Sequence, residues 1–337
     1  MNDIGIDLGT SSVLIYSPGK GIIVNEPSVV AVNSNSGEVL AVGEEAYRLV
    51  GKTPGKIKAL YPLTTGIISD FYLAEEMIKY FIKKSCSSGM VKPRVAICVP
   101  SGITDVESRA VIDVAVKAGA RKVYLIEEPV AAAIGAGIDI TRPNGHIILD
   151  IGGGTTDIAI LSLCGIVNKT SLKVAGRNFN EAIIKYVRNT HNILIGDKTA
   201  DTLKREIGSV FFSDEEGCTY TIKGRHLISG LPEKIEIKRS EICPLMLDLC
   251  DQIVSAIQSV LEVAPPELAA DILQNGLTMT GGGSLLHGLD KYIKYRLKIN
   301  AYVAENPVEC VAIGTGKAFD YLDKLYDGFV ESKIHEY

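Results

Sequence analysis

Three short segments combine glycine with hydroxyl side chains, a composition suited to holding phosphate groups. Glycine lacks a Cβ atom, so its backbone N–H group can approach a ligand closely, and neighbouring N–H groups that share one concavity bind anions. The segments are Gly9, Thr10, Ser11 and Ser12 in the first, Gly152, Gly153, Gly154 and Thr155 in the second, and Gly281, Gly282, Gly283 and Ser284 in the third. Each segment alone is equally consistent with a tight hairpin, but the three together indicate a polyphosphate site.

Two aspartates precede the first two glycine segments. Asp7 and Asp150 each stand at the end of an apolar stretch. A buried carboxylate is costly unless it is paired or bound to a metal, and beside a phosphate it would be repelled. A Mg²⁺ ion between carboxylate and phosphate removes this conflict, and Mg²⁺ usually keeps several of its waters. The sequence therefore predicts a Mg-nucleotide site in which Asp7 and Asp150 reach the metal through its waters.

Both aspartates belong to segments with the same plan, which suggests an internal duplication. IGIDLGTSSVLIY (4–16) and IILDIGGGTTDIAIL (147–161) each have the pattern of a strand, a glycine turn and a returning strand. The two aspartates lie 143 residues apart. This repeat predicts a duplicated α/β domain with a small insertion in each half.

Helices should connect these strands. Thr104 and Glu107 form a capping box before a helix that ends at Gly119, and Pro129 suits the first residue of another helix. A helix directly after the third glycine segment would add an anion site at its N-terminus. Further helices are predicted near 178–190, near 199–209 and from 240 to about 264.

The composition is typical of a soluble protein with more than one domain. The 337 residues exceed what one core usually holds, and the net charge of −5 argues against a dedicated nucleic-acid binder. The seven scattered cysteines favour free thiols over disulfides or a metal site. No run approaches the roughly 18 apolar residues of a membrane span, and the start MNDIGIDLG lacks the basic region of a signal peptide. A cytosolic location is therefore predicted.

Four segments, DIGIDLGTSS, DIGGGTTDIAIL, LIEEPVAAAIG and MTGGGSLLHGLD, resemble the phosphate and connecting motifs of the actin/Hsp70/sugar-kinase ATPases. The segments VNEPSVVAV, GKTPGKI, KPRVAICVPSGITDVE and PPELAADI narrow the resemblance to the MreB family, the bacterial actins that determine rod shape. The likeness covers nearly the whole chain. It implies an α/β, actin-like ATPase fold with two ribonuclease H-like domains, each carrying a small inserted subdomain.

The resemblance also implies a division of the chain around an ATP cleft. The first half would have a large subdomain (1–32, 66–144 and 315–337) and a small insertion (33–65). The second half would have a large subdomain (145–180 and 240–314) and a small insertion (181–239). ATP would lie between the halves, with phosphate loops at 7–12 and 150–157 and an adenosine motif at 281–284.

Further site residues follow from the same resemblance. The segment ADTLKREIG matches the base-lining helix of the family, which implies Asp201, Lys204 and Glu206 beside the base, although Lys204 and Glu206 also suit a solvated surface. Glu128 stands where relatives carry a water-positioning Glu or Gln, with helix capping as the alternative role. Glu127 should point to the other face of its strand.

A slow ATPase is thereby implied. Asp7, Glu128 and Asp150 are its predicted catalytic residues, and ATP and Mg²⁺ are its cofactors. Hydrolysis would set the timing of filament assembly. The implied partners are the chain itself in double filaments, the inner face of the cell membrane, and the cell-wall elongation machinery, without nucleic acid. No amphipathic N-terminal helix like that of some relatives is expected from this sequence, so the predicted membrane contact is Met90 and Val91. These two residues contribute about 2–4 kcal/mol at best, so filaments should bind liposomes through avidity and monomers should bind little.

The segment AGRNFNEAI departs from the family, which usually carries acidic residues where this chain has Arg177 and Asn180. Asn178 can still cap the following helix together with Glu181. The loss of negative charge beside the second phosphate loop predicts altered hydrolysis or altered phosphate release. Unchanged rates in Arg177→Asp would refute that hypothesis.

Three alternative functions use the same fold. A kinase acting on a sugar or on acetate needs a base and an acceptor pocket between the halves, and the insertions look too short to build that pocket. An Hsp70-like chaperone needs a peptide-binding domain, for which a chain that ends at Tyr337 is expected to leave no room. A nucleotide-binding scaffold without hydrolysis is the third alternative, because of Arg177. Phosphate release with and without filaments distinguishes it from an ATPase.

Overall fold

The computed structural model describes residues 3–86, 92–211, 217–322 and 329–331. The strands are β1 (Asp3–Leu8), β2 (Ser12–Ser17), β3 (Gly21–Pro27), β4 (Val30–Asn33), β5 (Val39–Val42), β6 (Ile57–Leu60), β7 (Leu63–Thr64), β8 (Ile67–Ile68), β9 (Arg94–Val99), β10 (Lys122–Glu127), β11 (His146–Ile151), β12 (Thr156–Ser162), β13 (Gly165–Leu172), β14 (Ile193–Leu194), β15 (Thr219–His226), β16 (Pro232–Lys238), β17 (Leu277–Thr280), β18 (Ala301–Val303) and β19 (Phe329–Glu331). The helices are α1 (Glu44–Leu49), α2 (Phe71–Ser85), α3 (Asp105–Lys117), α4 (Glu128–Gly135), α5 (Gly176–His191), α6 (Asp197–Ile207), α7 (Arg239–Glu262), α8 (Pro266–Asn275), α9 (Leu289–Leu297) and α10 (Cys310–Lys317).

Two large sheets share one topology, and this confirms the predicted duplication. The first sheet has the order β19-β10-β9-β1-β2-β3, and the second has the order β13-β12-β11-β17-β18. In each, a central strand (β1 or β11) pairs antiparallel with the next strand and parallel with a later one (β9 or β17). Loops at the carboxyl ends of such parallel strands are where α/β proteins bind ligands.

The central strands are apolar on both faces because helices cover both faces of each sheet. In β9 every residue from Val95 to Val99 is buried, and in β11 every residue from Ile147 to Ile151 is buried. Such continuous apolar runs are typical of strands covered on both sides. Helices α2 and α3 contribute to the core of the first sheet, and α5, α7 and α9 contribute to the core of the second.

Two three-stranded sheets stand beside the large ones, and β7 pairs with β8 in a separate two-stranded sheet. One has the order β5-β4-β6 and encloses a small core of Val29, Ala31 and Ala46 with α1. The other has the order β14-β15-β16. Because β4 pairs with β5 and β6 and begins at Val30, the first small unit starts about three residues earlier than the expected boundary at 33.

Helices α4 and α10 connect the two halves and pack tightly against each other. Helix α4 leads from β10 of the first sheet to β11 of the second, and α10 leads back from the second half. A Cβ atom on Gly314 would lie 1.7 Å from the carbonyl oxygen of Ala131, and one on Gly135 would lie 1.8 Å from that of Cys310. Only glycine allows this backbone-to-backbone approach.

Several helix boundaries differ from the sequence prediction. The third glycine segment leads into a four-residue 3₁₀ helix, Gly282–Leu285, and regular helix begins only at Leu289, so the predicted anion site at a helix N-terminus is absent there. Helix α5 begins at Gly176 instead of 178, because Asn178 accepts a hydrogen bond from the N–H of Ala175 one turn back. The predicted Asn178–Glu181 capping arrangement is therefore wrong.

One described helix, α7, is long and apolar enough to cross a membrane by length and composition, which the sequence prediction did not anticipate. Its buried residues pack into the core of the second sheet, as expected of a core helix in a globular protein. All seven cysteines lie in the described ranges and none forms a disulfide, which confirms that prediction.

Candidate functional site

The first glycine segment forms the turn between β1 and β2 and is held from outside the hairpin. Thr10 Oγ1 accepts a hydrogen bond of 2.7 Å from the N–H of Gly66, and Ser28 Oγ donates to the carbonyl of Gly9 at 2.5 Å. Asp7 lies near the end of β1, where Cys98 Sγ donates to its Oδ1 at 3.2 Å. Desolvation of this carboxylate raises the pKa of Asp7 to about 6.

The second glycine segment forms the equivalent turn between β11 and β12. Asp150 at the end of β11 is buried and accepts a hydrogen bond of 2.6 Å from Thr280 Oγ1. Burial raises the pKa of Asp150 to about 7, and the negative charges of Asp157 and Asp7 add to the effect. The hydroxyl of Thr280, the last residue of β17, was missed in the sequence because its partner is distant along the chain.

Asp157 on β12 lies beside these carboxylates, although the sequence predicted it only as the last residue of the second phosphate loop. It is fully buried, and its Oδ1 accepts a hydrogen bond of 2.8 Å from the N–H of Ser101. Its Oδ2 is buried without a partner of good geometry among the described residues. The cost argument that singled out Asp7 and Asp150 applies equally to an aspartate within TTDIAIL and could have identified Asp157.

Glu128 is the first residue of α4 and lies buried among these aspartates. Burial raises its pKa well above the usual range, and the negative charge of Asp157 is the largest further contributor. Glu127 points away and forms an ion pair of 2.6 Å with Lys169, as predicted from strand alternation. The resulting cluster contains four carboxylates, from Asp7, Glu128, Asp150 and Asp157.

The four carboxylates fit a cation that is held through its waters. The carboxylates repel one another and are largely removed from water, so positive charge nearby would stabilise them. The buried Oδ2 of Asp157 also requires a hydrogen-bond donor or a cation. No group of three or more His, Cys, Asp or Glu side chains within the described ranges is spaced to bind a metal directly. Water-mediated contact, which Mg²⁺ favours, is consistent with both observations.

The two phosphate loops lie directly against each other. A Cβ atom on Gly153 would lie 2.0 Å from Ser11 Oγ, and one on Gly154 would lie 2.4 Å from Thr10 Oγ1. Glycine is therefore required in the second loop by the hydroxyl residues of the first. The third segment packs on the end of β11, where a Cβ atom on Gly283 would lie 2.2 Å from Ile151 Cγ2, whereas Gly282 faces open space.

The predicted base-side residues are only partly brought together. Lys204 Nζ forms an ion pair of 2.8 Å with Asp201 and donates to Asn180 Oδ1 at 2.8 Å and to the carbonyl of Gly176 at 3.2 Å. These contacts place Asp201 and Lys204 beside the start of α5, next to the second phosphate loop. Glu206 lies on the exposed side of α6, outside this group.

Arg177 and Asn180 both lie near the start of α5. Arg177 lies at the second position of α5, where its N–H donates to the carbonyl of Gly153 at 2.9 Å. Asn180 is buried and donates to Asp197 Oδ1 at 3.1 Å. Met90 and Val91, the predicted membrane contact, lie outside the described residues.

Comparison with known proteins gives one consistent result. A family model described as MreB/Mbl protein matches residues 1–327. The chain is 50% identical over 324 residues to the cell shape-determining protein Mbl of Bacillus subtilis (strain 168), covering 96% of this chain and 97% of that protein. It is 45% identical over 328 residues to the cell shape-determining protein MreB of Escherichia coli (strain K12), covering 96% of this chain and 94% of that protein. Crystal structures of MreB5 of Spiroplasma citri, bound to ADP and to AMPPNP, match with a TM-score of 0.90 and 40% identity, covering 95% of this chain and 97% and 96% of theirs.

Proposed function

The chain belongs to the MreB/Mbl family and has an actin-like fold, and we propose that it binds ATP, polymerises into filaments and directs cell shape. The observation that carries this proposal is the meeting of two glycine loops and four clustered carboxylates, three of them buried, where the two halves join. The solved MreB5 structures hold ADP and AMPPNP, which supports an adenine nucleotide as the ligand here. Family membership does not favour the small-molecule kinase.

The nucleotide would lie between the two phosphate loops. The backbone N–H groups and hydroxyls of Gly9–Ser12 and Gly152–Thr155 would donate to the phosphates from opposite sides. Gly282 faces open space in the third segment, which leaves room for the adenosine. Asp201 and Lys204 would line the base side, because Lys204 is held beside the second loop through Gly176.

The residues present fit Mg²⁺ held through waters by Asp7 and Asp150. When bound, Mg²⁺ supplies positive charge that neutralises the phosphates and the carboxylates. Asp7 is held by Cys98, and Asp150 is held by Thr280. These hydrogen bonds fix the direction of both carboxylates before any ligand arrives.

Glu128 would orient the water that attacks the terminal phosphate, and the negative charge of the neighbouring Asp157 would influence the protonation of Glu128. Because burial and neighbouring carboxylates raise the pKa of Glu128, its ionised form depends on added positive charge at the site. Hydrolysis should therefore require the divalent cation and should be slow. In this scheme, the rate of ATP hydrolysis determines how long a filament lasts.

We also propose the division into four subdomains and the cellular setting implied by the family. The two large sheets and the two three-stranded sheets support the division, with the first insertion beginning near residue 30. The filaments would pair and lie at the inner face of the cell membrane, where they would organise cell-wall elongation. Equal liposome binding by filaments and by a variant that cannot polymerise would contradict the avidity proposed for the membrane contact.

A sedimentation assay tests the proposed function. The protein is spun with Mg-ATP, with Mg-ADP and without nucleotide, while phosphate release is followed in parallel. We expect pelleting that depends on nucleotide and phosphate release that rises with the pelleted fraction. ADP formation that depends on an added sugar or acetate, without release of free phosphate and without pelleting, would support the kinase instead.

A further inference from the structure

Arg177 contacts three parts of the chain that face the cleft from different sides. Its backbone N–H donates to Gly153 of the second phosphate loop at 2.9 Å, and its Nη2 donates to the carbonyl of Thr10 in the first loop at 2.9 Å. Its guanidinium carbon lies 4.5 Å from the ring centroid of Tyr61, which follows β6 in the first small unit. This distance is within the range of a cation–π interaction.

Lys198 makes a second contact of the same kind. It lies on α6, in the second half, and its Nζ is 3.7 Å from the ring centroid of Tyr47 on α1. The same Nζ also donates a hydrogen bond to the carbonyl of Tyr47. Arg177 and Lys198 therefore both extend from the second half onto a tyrosine of the first half.

Both sides of this contact are firmly anchored. Tyr47 and Tyr61 pack against the same small core of Val29, Ala31 and Ala46. On the opposite side, α5 and α6 are joined by the hydrogen bond from Asn180 to Asp197. Two cations on joined helices thus face two tyrosine rings that pack against one core. We refer to Arg177, Tyr61, Lys198 and Tyr47 as the clasp.

We propose that the clasp holds the two halves of the cleft together and limits the rate at which nucleotide leaves, with Arg177 coupling it to both phosphate loops. This inference rests on the proposed function, because it requires nucleotide in the cleft. The phosphate loops come from different halves and meet at Gly153 and Ser11. A nucleotide that contacts both loops should therefore be released faster when the halves separate. Separation must break both cation–tyrosine contacts and the hydrogen bond from Arg177 to Thr10.

The test measures release of a fluorescent ATP analogue by stopped flow in Mg²⁺ buffer. Arg177→Gln removes the charge from one tyrosine and should increase the release rate about tenfold, which corresponds to about 1.4 kcal/mol. Arg177→Lys keeps a cation over Tyr61 and should restore part of the slow release. Arg188→Gln is the matched control, because Arg188 lies exposed on the same helix.

Variants on the other side separate the clasp from a purely structural role. Tyr61→Leu should also speed release, and combining it with Arg177→Gln should add much less than the sum of the two single effects. Lys198→Gln tests the second contact independently, should Arg177 variants fold poorly. The thermal unfolding midpoint should change little compared with the release rate.

Two results would overturn the inference in distinguishable ways. If the wild type binds the analogue but both Arg177→Gln and Lys198→Gln release it at the wild-type rate, the clasp does not limit release while the proposed nucleotide site stands. If the wild type does not bind the analogue, the proposed function fails and the clasp fails with it.

Discussion

Asp150 and Asp157 lie directly opposite each other across the β11–β12 hairpin, and both are buried. The side chains of directly opposed residues lie on the same face of a sheet, where like charges destabilise the pair. A proton or a cation must therefore lie near these carboxylates in the folded protein. This pair forms the centre of the proposed Mg-nucleotide site.

Without divalent cations, the carboxylate of Asp150 should make the protein less stable as the pH rises from about 4 to about 7. Its pKa is raised from 3.8 to about 7 in the folded state, so the folded state binds more protons than the unfolded state in this window. The free energy of unfolding then falls with pH, by roughly 2–4 kcal/mol for one such group. Urea unfolding in chelator across this range measures the slope.

Asp150→Asn separates this contribution from carboxylates that stabilise the protein as the pH rises, such as Asp201, whose pKa is lowered. The variant should be more stable than the wild type near pH 7 in chelator and should lose this advantage near pH 4. A constant difference in unfolding free energy across the window would show that Asp150 is not buried against its neighbours as described.

Glu128→Ala should reduce ATP-dependent phosphate release at least about 100-fold, because alanine has no polar group to orient the attacking water. Affinity for ATP should stay close to that of the wild type, since the two glycine loops are unchanged. Glu127→Ala is the matched control, because Glu127 pairs with Lys169 away from the cluster. Loss of hydrolysis in both variants alike would argue against the assignment to Glu128.

Gly153→Ala should weaken ATP binding about 10- to 100-fold, as expected for about 1–3 kcal/mol of overpacking. The added methyl group would lie 2.0 Å from Ser11 Oγ and would force the phosphate loops apart. Gly55→Ala controls for the substitution itself, since no atom lies within 4 Å of a Cβ there. Titration calorimetry with Mg-ATP measures both, and equal affinities would contradict the contact between the loops.

Gly314→Ala should lower the free energy of unfolding by about 3 kcal/mol, because α4 and α10 would have to move apart. The new methyl group would otherwise lie 1.7 Å from the carbonyl oxygen of Ala131. Gly196→Ala, where a Cβ meets no atom within 4 Å, should cost far less. Chemical denaturation of the two variants makes the comparison, and matching midpoints would refute the proposed close packing.

The duplication and the positions of the glycine turns could be predicted because they depend on local sequence. IGIDLGTSS and IILDIGGGTT each specify a strand and its turn within about ten residues, and the two sheets form accordingly. The burial argument that identified Asp7 and Asp150 needed only their apolar neighbours. Helix α3 was predicted for a similar reason, since its capping box spans Thr104 and Glu107 alone.

Contacts between distant segments could not be predicted in this way. The sequence gives no indication that Thr280 donates to Asp150 across 130 residues, or that Arg177 meets Thr10 across 167 residues. The start of α5 was misplaced because Asn178 bonds backward to Ala175 instead of serving as the cap. Arg177 was predicted from its charge to alter hydrolysis, whereas its geometry joins it to Tyr61 and both phosphate loops.

Electron microscopy of the purified protein on lipid tests the central claim most directly. The protein is imaged with Mg-ATP, with Mg-ADP and without nucleotide. We predict paired, straight filaments that form only when nucleotide is present. Monomers under all three conditions would contradict a filament-forming bacterial actin and would make a screen of phosphate acceptors the next experiment.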